Sequence, residues 1–310
     1  MGVHVPVMLN EAVDALEVRP GGVYIDGTLG RGGHSAEILR RAGNATLLGI
    51  DRDAAAIDES RVNLAGFADA EVHLVRGRHG DMAAIAKDEG LHDVDGVLLD
   101  LGVSSPQLDD AERGFSFRED GPLDMRMDRS CGETAADVVA TRGEDELAGL
   151  FRELGEEPNA RRIAKAVVRA RAGGRIATTR QLADLVEKTV GRSGAHHPAT
   201  RVFQALRMEV NDELGELARA LEGGLSLLRD GGRFVVITFE SLTDRTVKRF
   251  FAAHAGREES LQGGGSRWAG VQPRVRLVAR RAARASAAEV ARNTRARSAK
   301  MRVAERMGRR

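Results

Sequence analysis

The sequence predicts an α/β fold in which a parallel sheet is interrupted by a helical insertion. Short apolar runs, typical of buried parallel strands, alternate with helical stretches over the first 100 residues. The alternation stops after residue 100, only helical patterns follow as far as residue 205, and the α/β pattern then resumes. A glycine-rich turn follows the first apolar run, as it does in nucleotide-binding βαβ units.

The first part of the chain begins with a short amphipathic helix over residues 8–17. Strands are expected at 23–26, 46–50, 71–75 and 94–99, and helices between them at 35–42, 53–64 and 81–89. The strands are almost wholly apolar, so we expect helices to cover both faces of the sheet.

The middle of the chain has helical periodicity, with helices expected at Glu144–Leu154, Asn159–Arg171 and Thr179–Val190. The last part should contain a helix at Asn211–Leu228, a strand at Arg233–Phe239, a helix at Leu242–His254, a flexible loop at Leu261–Pro273 and a final strand at Val275–Ala279. We therefore expect an α/β domain whose first part is 1–106 and whose second part, with a basic C-terminal tail, is 211–310. An inserted helical domain should occupy 107–210.

Composition limits the class of protein. Hydrophobic residues make up 42% of the 310 residues, which is enough for a core, and the single cysteine, Cys131, excludes an intrachain disulfide. No apolar run approaches the roughly 20 residues that span a bilayer, and the N-terminal residues lack the pattern of a signal peptide. We expect a cytoplasmic protein without a membrane segment.

The net charge of +1 hides an uneven distribution along the chain. Residues 107–157 hold 15 acids against 6 bases, residues 158–210 hold 11 bases against 3 acids, and residues 274–310 hold 13 bases against 2 acids. Any one basic segment also fits a solvated helical face or a flexible tail. Two such segments in one chain favour an RNA or DNA partner.

The most informative stretch is residues 26–34, Asp-Gly-Thr-Leu-Gly-Arg-Gly-Gly-His, between the first strand and a helix. Glycines let the backbone approach a ligand, and a helix start offers free N–H groups. The acid would repel a pyrophosphate but suits a cofactor with a cationic group, such as S-adenosylmethionine. A tight strand–helix turn is the alternative. The candidate cofactor-binding residues here are Asp26, Gly30, Gly32, Gly33 and His34.

A second acid, Asp51, ends the next apolar run at about the distance expected for a carboxylate that binds ribose hydroxyls. A third, Asp100, ends the fourth strand and should lie at the same crevice, because ligands bind at the carboxyl ends of parallel strands. We therefore expect these two carboxylates to lie beside the glycine turn.

Asp100 is followed by Ser104-Ser105-Pro106-Gln107, in which proline should fix an extended turn. This turn is similar to the Ser-Pro-Pro-aromatic turns of enzymes that methylate exocyclic amines of bases. Oxygen acceptors there can orient a poorly nucleophilic amine toward a sulfonium methyl group, and positioning with electrostatics supplies the rate. The candidate catalytic residues are Asp100, Ser104, Ser105 and Pro106.

Several blocks resemble the RsmH/MraW family, the bacterial 16S rRNA cytosine-N4 methyltransferases. They are Asp26–His34, Asp51, Asp95–Asp109, Arg113–Phe117, Gly121–Asp128, His197–Arg207 and Asn293–Arg306, and they span nearly the whole chain. The resemblance implies a Rossmann-like S-adenosylmethionine-dependent methyltransferase sheet with an inserted α-helical substrate-recognition domain. It also implies methylation of N4 of one cytosine in the decoding region of 16S rRNA, position 1402 by the family's convention.

The resemblance also assigns cofactor contacts by position. They fall on Gly32, Gly33, His34, Asp51, Asp100 and Gln107, and a further one falls on His79, where the family usually has phenylalanine. The loop after the fifth strand departs as well: Glu240 and Thr243 stand where the family commonly has histidine and glutamate. These departures put a proton-transfer or substrate role of that loop in question.

Other polar residues keep two interpretations. His34 could contact the methionine part of the cofactor or cap a helix, and Arg201 and Arg207 could contact phosphate or pair with acids. Asp124 and Arg126 belong to a loop that could cover the active site or form an ion-paired buried turn. His196 and His197 have no cysteine or acid at metal-ligand spacing, so no metal site is predicted.

The leading hypothesis is methyl transfer from S-adenosyl-L-methionine to 16S rRNA, with small ribosomal subunits as the expected partner and a homodimer as one option. A DNA amine methylase is the alternative in the same class. A ribosome-assembly factor that binds rRNA with weak or no catalysis is the alternative from another class. A nicotinamide dehydrogenase is the weakest rival, because the glycine spacing differs from G-x-G-x-x-G.

Overall fold

The computed structural model describes residues 6–192, 197–260, 266–269 and 272–308. The strands are β1 (Val23–Asp26), β2 (Thr46–Asp51), β3 (Glu71–Arg76), β4 (Val94–Asp100), β5 (Leu228–Thr238), β6 (Arg257–Ser260), β7 (Ser266–Ala269), β8 (Val275–Leu277), β9 (Ala283–Arg284) and β10 (Lys300–Arg306).

The helices of the first part are α1 (Leu9–Leu16), α2 (Gly33–Ala42), α3 (Ala54–Leu64) and α4 (Met82–Asp88). They are followed by α5 (Ser105–Asp109), α6 (Ala135–Thr141), α7 (Glu144–Glu153), α8 (Ala160–Arg171), α9 (Thr179–Val190), α10 (Thr200–Val210), α11 (Glu213–Leu227), α12 (Ser241–His254) and α13 (Ala287–Arg292). Short 3₁₀ turns lie at His79–Asp81, Ala111–Arg113 and Thr294–Ser298. None of the helices in the described ranges is long and apolar enough to cross a membrane.

The chain divides into two compact units, one formed by residues 1–102 and 215–310 and the other by residues 103–214. We refer to them as the sheet unit and the helical unit. The predicted insertion, 107–210, lies four residues inside each end of the helical unit. The sheet unit is therefore assembled from two separated stretches of chain.

The main sheet of the sheet unit has the strand order β3-β2-β1-β4-β5-β10-β8, and β9 pairs with β10. The first five strands are parallel, whereas β10 runs antiparallel to β5, β8 and β9. The chain moves outward from β1 to β3 and then returns to place β4 on the other side of β1. This reversal is the switch point at which open α/β sheets bind ligands. The predicted α/β fold is confirmed.

Alternate strand residues pack into two hydrophobic layers. Leu98 and Val235 face one layer, which α1, α2 and α3 cover. Val97 and Val236 face the other, which α4, α11 and α12 cover. Burial of both faces explains why the parallel strands read as continuous apolar runs.

The C-terminal region differs from the prediction. The strand at residues 275–277 is not the final one, because the residues expected to form a basic tail include β10, which lies inside the sheet between β5 and β8. Met301 and Val303 enter the core, while Arg302 and Lys300 bind the buried Asp244 of α12. Hydrogen bonds from Arg302 and Lys300 outweigh burial and hold the pKa of Asp244 below its usual value. The sequence pattern did not predict β10, because its charged residues resemble an exposed tail and the acid that pairs with them, Asp244, lies 56 residues away or more along the chain.

The helical unit has its own core, which includes Phe115, Leu147, Phe151, Ile163 and Leu206. The three predicted helices are present as α7, α8 and α9. The prediction missed α10, as well as the shorter α5 and α6. In the described part of this unit the only β pairing is one isolated bridge between Pro122 and Thr178.

The predicted flexible loop at Leu261–Pro273 is wrong in part. Residues 266–269 form β7, which pairs antiparallel with β6. Residues 261–265, 270 and 271 lie outside the described residues. Two strands joined by a short glycine-containing segment are the pattern of a hairpin, which the glycines alone did not distinguish from a loop.

Candidate active site

Three acids end three neighbouring strands at the switch point of the sheet. Asp26 ends β1, Asp51 ends β2 and Asp100 ends β4, and β1 pairs with both of the other strands. Parallel strands present their carboxyl ends at one edge, so the topology brings together the three carboxylates that the sequence singled out.

The glycine turn is tied to Asp51. The Gly30 amide donates to one carboxylate oxygen of Asp51 at 2.9 Å, and the Asp53 amide donates to the other at 2.9 Å. Burial raises the pKa of Asp51 despite these two hydrogen bonds. One carboxylate oxygen of Asp51 therefore fixes the conformation of the glycine turn. Asp51 also ends β2, which is the place expected for a ribose-binding acid.

Glycine is required at positions 32 and 33 for two different structural reasons. Gly32 has a φ of 75° and precedes the first residue of α2, a conformation that favours glycine. At Gly33 a Cβ atom would overlap the Pro6 ring. No side chain among the described residues caps the start of α2, so its first-turn amides are available to polar ligand atoms.

The Asp26 carboxylate is occupied by the protein itself. It is 1% exposed, accepts from the Thr28 amide at 3.1 Å and accepts from the Ser35 hydroxyl at 2.7 Å. Burial raises its pKa to about 6. These bonds connect the end of β1 to the glycine turn and the first turn of α2, so Asp26 stabilises the conformation of the turn.

Asp100 is the most perturbed acid of the site. Its amide donates to the Thr28 hydroxyl at 2.6 Å, while its Oδ1 is buried and has no hydrogen-bond partner among the described residues. Burial, and next the nearby Asp26 charge, raise the pKa of Asp100 to about 7. About a quarter of the side chain (24%) remains exposed. A buried carboxylate oxygen without a donor is the arrangement expected where a ligand supplies one.

His34 takes a third role that neither interpretation included. Its Nε2 lies 3.2 Å from the Val7 carbonyl oxygen, and its Nδ1 lies 3.9 Å from Oδ2 of Asp100. The side chain is buried on the first turn of α2. His34 therefore links the N-terminal segment to the edge of the site that carries Asp100.

His79 lies beside the start of the glycine turn. Its Cβ is 3.5 Å from the place that a Cβ of Gly27 would occupy. The ring Nε2 is buried without a hydrogen-bond partner among the described residues, and burial, followed by the charge of Arg52, lowers the pKa of His79 to about 4. A neutral ring with a free nitrogen can accept or donate a hydrogen bond to a heterocyclic ligand.

Glu216 holds the segment that carries His79, and no sequence pattern predicts this role. It is fully buried on α11, and one carboxylate oxygen accepts from the Gly80 amide at 3.1 Å. The other accepts from Arg78 at 3.1 Å and from Arg219 at 2.8 Å. These two guanidinium groups outweigh burial, so the pKa of Glu216 lies below its usual value. In the sequence, Glu216 has the pattern of an exposed acid on an amphipathic helix.

The turn after Asp100 belongs to the helical unit. The Ser104 amide donates to Oε1 of the buried Gln107 at 3.1 Å. Residues 105–109 form α5, so the predicted extended turn at Ser105 and Pro106 is wrong. Proline fits the first turn of a helix because its missing N–H has no helical acceptor there. The side chains of Ser105 and Pro106 lie outside the described ones.

Most of the remaining polar candidates in the helical unit bind other side chains, whereas Arg201 is exposed. Asp124 is buried and binds Arg126 through both of its oxygens, so this loop is an ion-paired buried turn. Arg207 forms a bidentate pair with Glu213 at 2.7 and 2.9 Å. His197 lies 3.1 Å from Glu187. His196 lies outside the described residues.

The two departures after β5 touch each other. The Thr243 hydroxyl donates to Glu240 at 3.4 Å at the start of α12. The retained acid of this segment, Asp244, binds Lys300 and Arg302 of β10. The structure thus gives Asp244 a role in attaching α12 to the sheet.

Comparison with known proteins decides the family. A model of the MraW methylase family matches residues 1–307. The chain belongs to the MraW methylase family. Relatives within it include the ribosomal RNA small subunit methyltransferase H of Methylobacillus flagellatus, 51% identical over 98% of this chain and 94% of its own length. Another is the protein of the same name from Azoarcus sp., 51% identical over 98% of this chain and 97% of its own length.

Membership in the MraW methylase family confirms the predicted class, an S-adenosyl-L-methionine-dependent methyltransferase. The chain's residues fit this cofactor. The uncapped start of α2 offers amides, Asp51 ends β2, where a ribose-binding acid is expected, and the buried Asp100 oxygen without a partner among the described residues lies at the same edge. When bound, S-adenosyl-L-methionine supplies a methyl group activated by a sulfonium centre.

Proposed function

We propose that this protein transfers a methyl group to N4 of a cytosine in the decoding region of 16S rRNA, position 1402 by the family's convention. The names of its relatives support a substrate in the small ribosomal subunit. The observation that carries the proposal is the Asp100 carboxylate, with its buried unpartnered oxygen and raised pKa at the carboxyl end of β4.

In the proposed reaction Asp100 orients the amine. A cytosine N4 lone pair is delocalised into the ring, so the amine becomes nucleophilic when acceptors hold its hydrogens away from the ring plane. The Asp100 oxygen can accept one N4–H, and Ser104 to Gln107, which follow Asp100 in the chain, are the other candidates for orienting the amine. As the N–C bond forms and the C–S bond breaks, N4 gains positive charge, which a nearby carboxylate stabilises. The extra N4 proton then leaves to Asp100 or to water.

The residues proposed for the cofactor have distinct tasks. The amides of Gly33 and His34 lie at the uncapped start of α2. The Gly32 amide donates to the Leu29 carbonyl, so Gly32 would contribute through its close backbone approach. Asp51 would accept hydrogen bonds from ribose hydroxyls. His79 would lie against the adenine in place of the family's phenylalanine. Gln107 is the remaining candidate, and only the resemblance to the family assigns it.

The helical unit would recognise the RNA. On α8 the side chains of Arg162, Lys165 and Arg169 are exposed and follow one another at helical spacing of three and four residues. None of the three forms an ion pair with another described residue. Such a row suits phosphate contacts, and action on ribosomal subunits would place the protein in the cytoplasm.

A ribosome-assembly factor with weak catalysis is the second candidate. The imidazole of His79 stands where the family usually has the phenyl ring of phenylalanine, and Thr243 donates a hydrogen bond to Glu240. Both observations concern positions where the family has other residues. Multiple turnover on small subunits would exclude this candidate.

The test is methyl incorporation from labelled S-adenosylmethionine into small ribosomal subunits, free rRNA and DNA, followed by nucleoside mass spectrometry. N4-methylcytosine in RNA-containing substrates alone is the expected result. A methyl group on another base, or on DNA, would contradict the proposal. Cofactor binding without any methyl product would favour the assembly factor.

A further inference from the structure

An arginine-rich segment that the sequence presents as a tail is folded onto the sheet unit. Residues 278–298 contain six arginines and one acid, Glu289. They include β9, α13 and a 3₁₀ turn, and apolar residues such as Ala285, Val290 and Ala296 pack into the same hydrophobic layer as α1 and α2. The segment is therefore held in a fixed place.

Strand pairing places this segment at the edge that carries Asp100. Asp100 pairs with Ile237 of β5, Ile237 pairs with Met301 of β10, and Met301 pairs with Ala283 of β9. These four residues form one row across the sheet. Three strand spacings separate Asp100 from Ala283, which is about 14 Å.

A second contact of the arginine-rich segment leads, through the N-terminal segment, to His34 beside the glycine turn. The single acid, Glu289, accepts a hydrogen bond from the Met8 amide at 2.6 Å, and the adjacent Val7 carbonyl lies 3.2 Å from His34. The only carboxylate of the segment is thus directed at the backbone. The five exposed arginines of the segment therefore have no ion-pair partner within it.

The segment presents a cationic surface, which we call the arginine platform. Its members are exposed and form no ion pair with another described residue: Arg280, Arg281, Arg284, Arg292 and Arg297. Five uncompensated guanidinium groups on an anchored surface attract a polyanion, and guanidinium groups bind phosphate in bidentate geometry. A folded surface also loses less entropy on binding than a flexible tail.

We propose that the arginine platform binds the phosphates of a single RNA strand next to the nucleotide held at Asp100. This inference rests on the proposed function and adds a second RNA contact, independent of α8. A strand can reach the base site when its target base is unstacked, which costs least outside a duplex. The platform would position the strand without reading its sequence.

The test compares two triple variants of the full chain. Arg280→Ala/Arg281→Ala/Arg284→Ala removes three platform charges. The control, Lys87→Ala/Lys248→Ala/Arg249→Ala, removes three exposed charges from α4 and α12, which cover the opposite face of the sheet. Affinity for a labelled single-stranded RNA oligonucleotide is measured over a range of salt concentrations, with duplex DNA as a second probe.

The platform variant should raise the Kd for RNA about tenfold and reduce the slope of log K against log salt by about 2, since each phosphate contact of a single strand contributes about 0.7. The KM for small subunits should rise more than kcat falls, and the affinity for S-adenosylmethionine should be unchanged. The control should change the RNA Kd less than about threefold.

Equal losses in both variants, an unchanged salt slope, or equally tight binding of duplex DNA by the unaltered protein would overturn the proposal. Failure of the proposed function is a separate result. RNA binding that depends on the platform, with no methyl product on any RNA, would leave the platform standing and reject the reaction.

Discussion

At the scale of single residues, the site contains two buried carboxyl groups of different character. Asp26 is satisfied by Thr28 and Ser35, whereas Asp100 keeps an oxygen without a partner. Burial raises the pKa of both, to about 6 for Asp26 and about 7 for Asp100. The group with the unused oxygen is the one expected to meet a ligand.

Asp100→Asn should lower kcat by roughly 100-fold or more, in the range of a lost general base or orienting acceptor. The amide is nearly isosteric, so RNA and cofactor affinities should change less than about threefold. Single-turnover methyl transfer and binding titrations measure the two effects. Asp88→Asn, on the exposed end of α4, is the matched control. Equal losses of turnover and RNA binding in Asp100→Asn would indicate a structural role.

The same variant should be more stable than the unaltered protein at alkaline pH. The folded-state pKa of Asp100, about 7, exceeds its ordinary value of 3.8, so the folded protein binds more protons than the unfolded chain between these values. Stability contributed by this group is therefore lost as pH rises from about 4 to about 7. The difference in Tm between Asp100→Asn and the unaltered protein should grow from pH 5 to pH 8, and a constant difference would contradict the pKa shift.

Activity should follow the ionisation of Asp100. With both substrates well below KM, the rate should rise with pH and level off above about 7, because the carboxylate is a stronger acceptor than the protonated acid and can also take up the N4 proton. Bound sulfonium charge should shift the inflection of kcat to lower pH. Rates measured across pH 5 to 9 test this, and a flat profile would remove Asp100 from the proton chemistry.

At the scale of elements, the short segment from Arg78 to Asp81 depends on α11. Glu216 binds the Gly80 amide and two guanidinium groups, and this holds His79 beside the glycine turn. Local sequence predicted β3 and the following helix, because those depend on apolar periodicity. It could not predict this attachment, because Glu216 is 136 residues away from Gly80 along the chain.

Glu216→Gln should raise the KM for S-adenosylmethionine about tenfold and change kcat less than threefold, because the neutral amide loses the ion pairs that fix the His79 segment. Isothermal titration with the cofactor measures the loss directly. Glu222→Gln, an exposed position on the same helix, serves as the control. A drop in kcat at unchanged cofactor affinity would show that Glu216 acts elsewhere.

At the scale of the whole molecule, sequence patterns predicted the parallel half of the sheet better than its antiparallel half. β1 to β4 are apolar runs that any window of sequence reveals, and the glycine turn follows directly from them. β10 alternates Met301 and Val303 with charged residues, and Asp244 neutralises two of these charges only after the chain has folded. The sequence predicted the positive charge of the arginine platform but not its fixed place, because the contacts that hold it join residues far apart in the chain.

Ending the chain after Ala299 should abolish folding of the sheet unit, because β10 fills the position between β5 and β8. Ending it after Met307 should preserve the fold. Circular dichroism and cofactor binding distinguish the two truncated proteins. A folded, cofactor-binding protein without residues 300–310 would show that this strand is dispensable and that a tail is the better description.

The split of the sheet unit into 1–102 and 215–310 has a consequence for synthesis. A ribosome releases the four parallel strands β1 to β4 first, then the continuous helical unit, and only later β5, which pairs with β4, and β10, which pairs with β5. The nascent helical unit can bury its core at once, whereas β4 waits with an open edge until more than 120 further residues have emerged. Messages cut short before β10 would therefore yield chains in which one edge of β5 is unpaired, and chaperones and proteases recognise such chains. Methyl-transfer capacity then becomes available only from copies translated through residue 306.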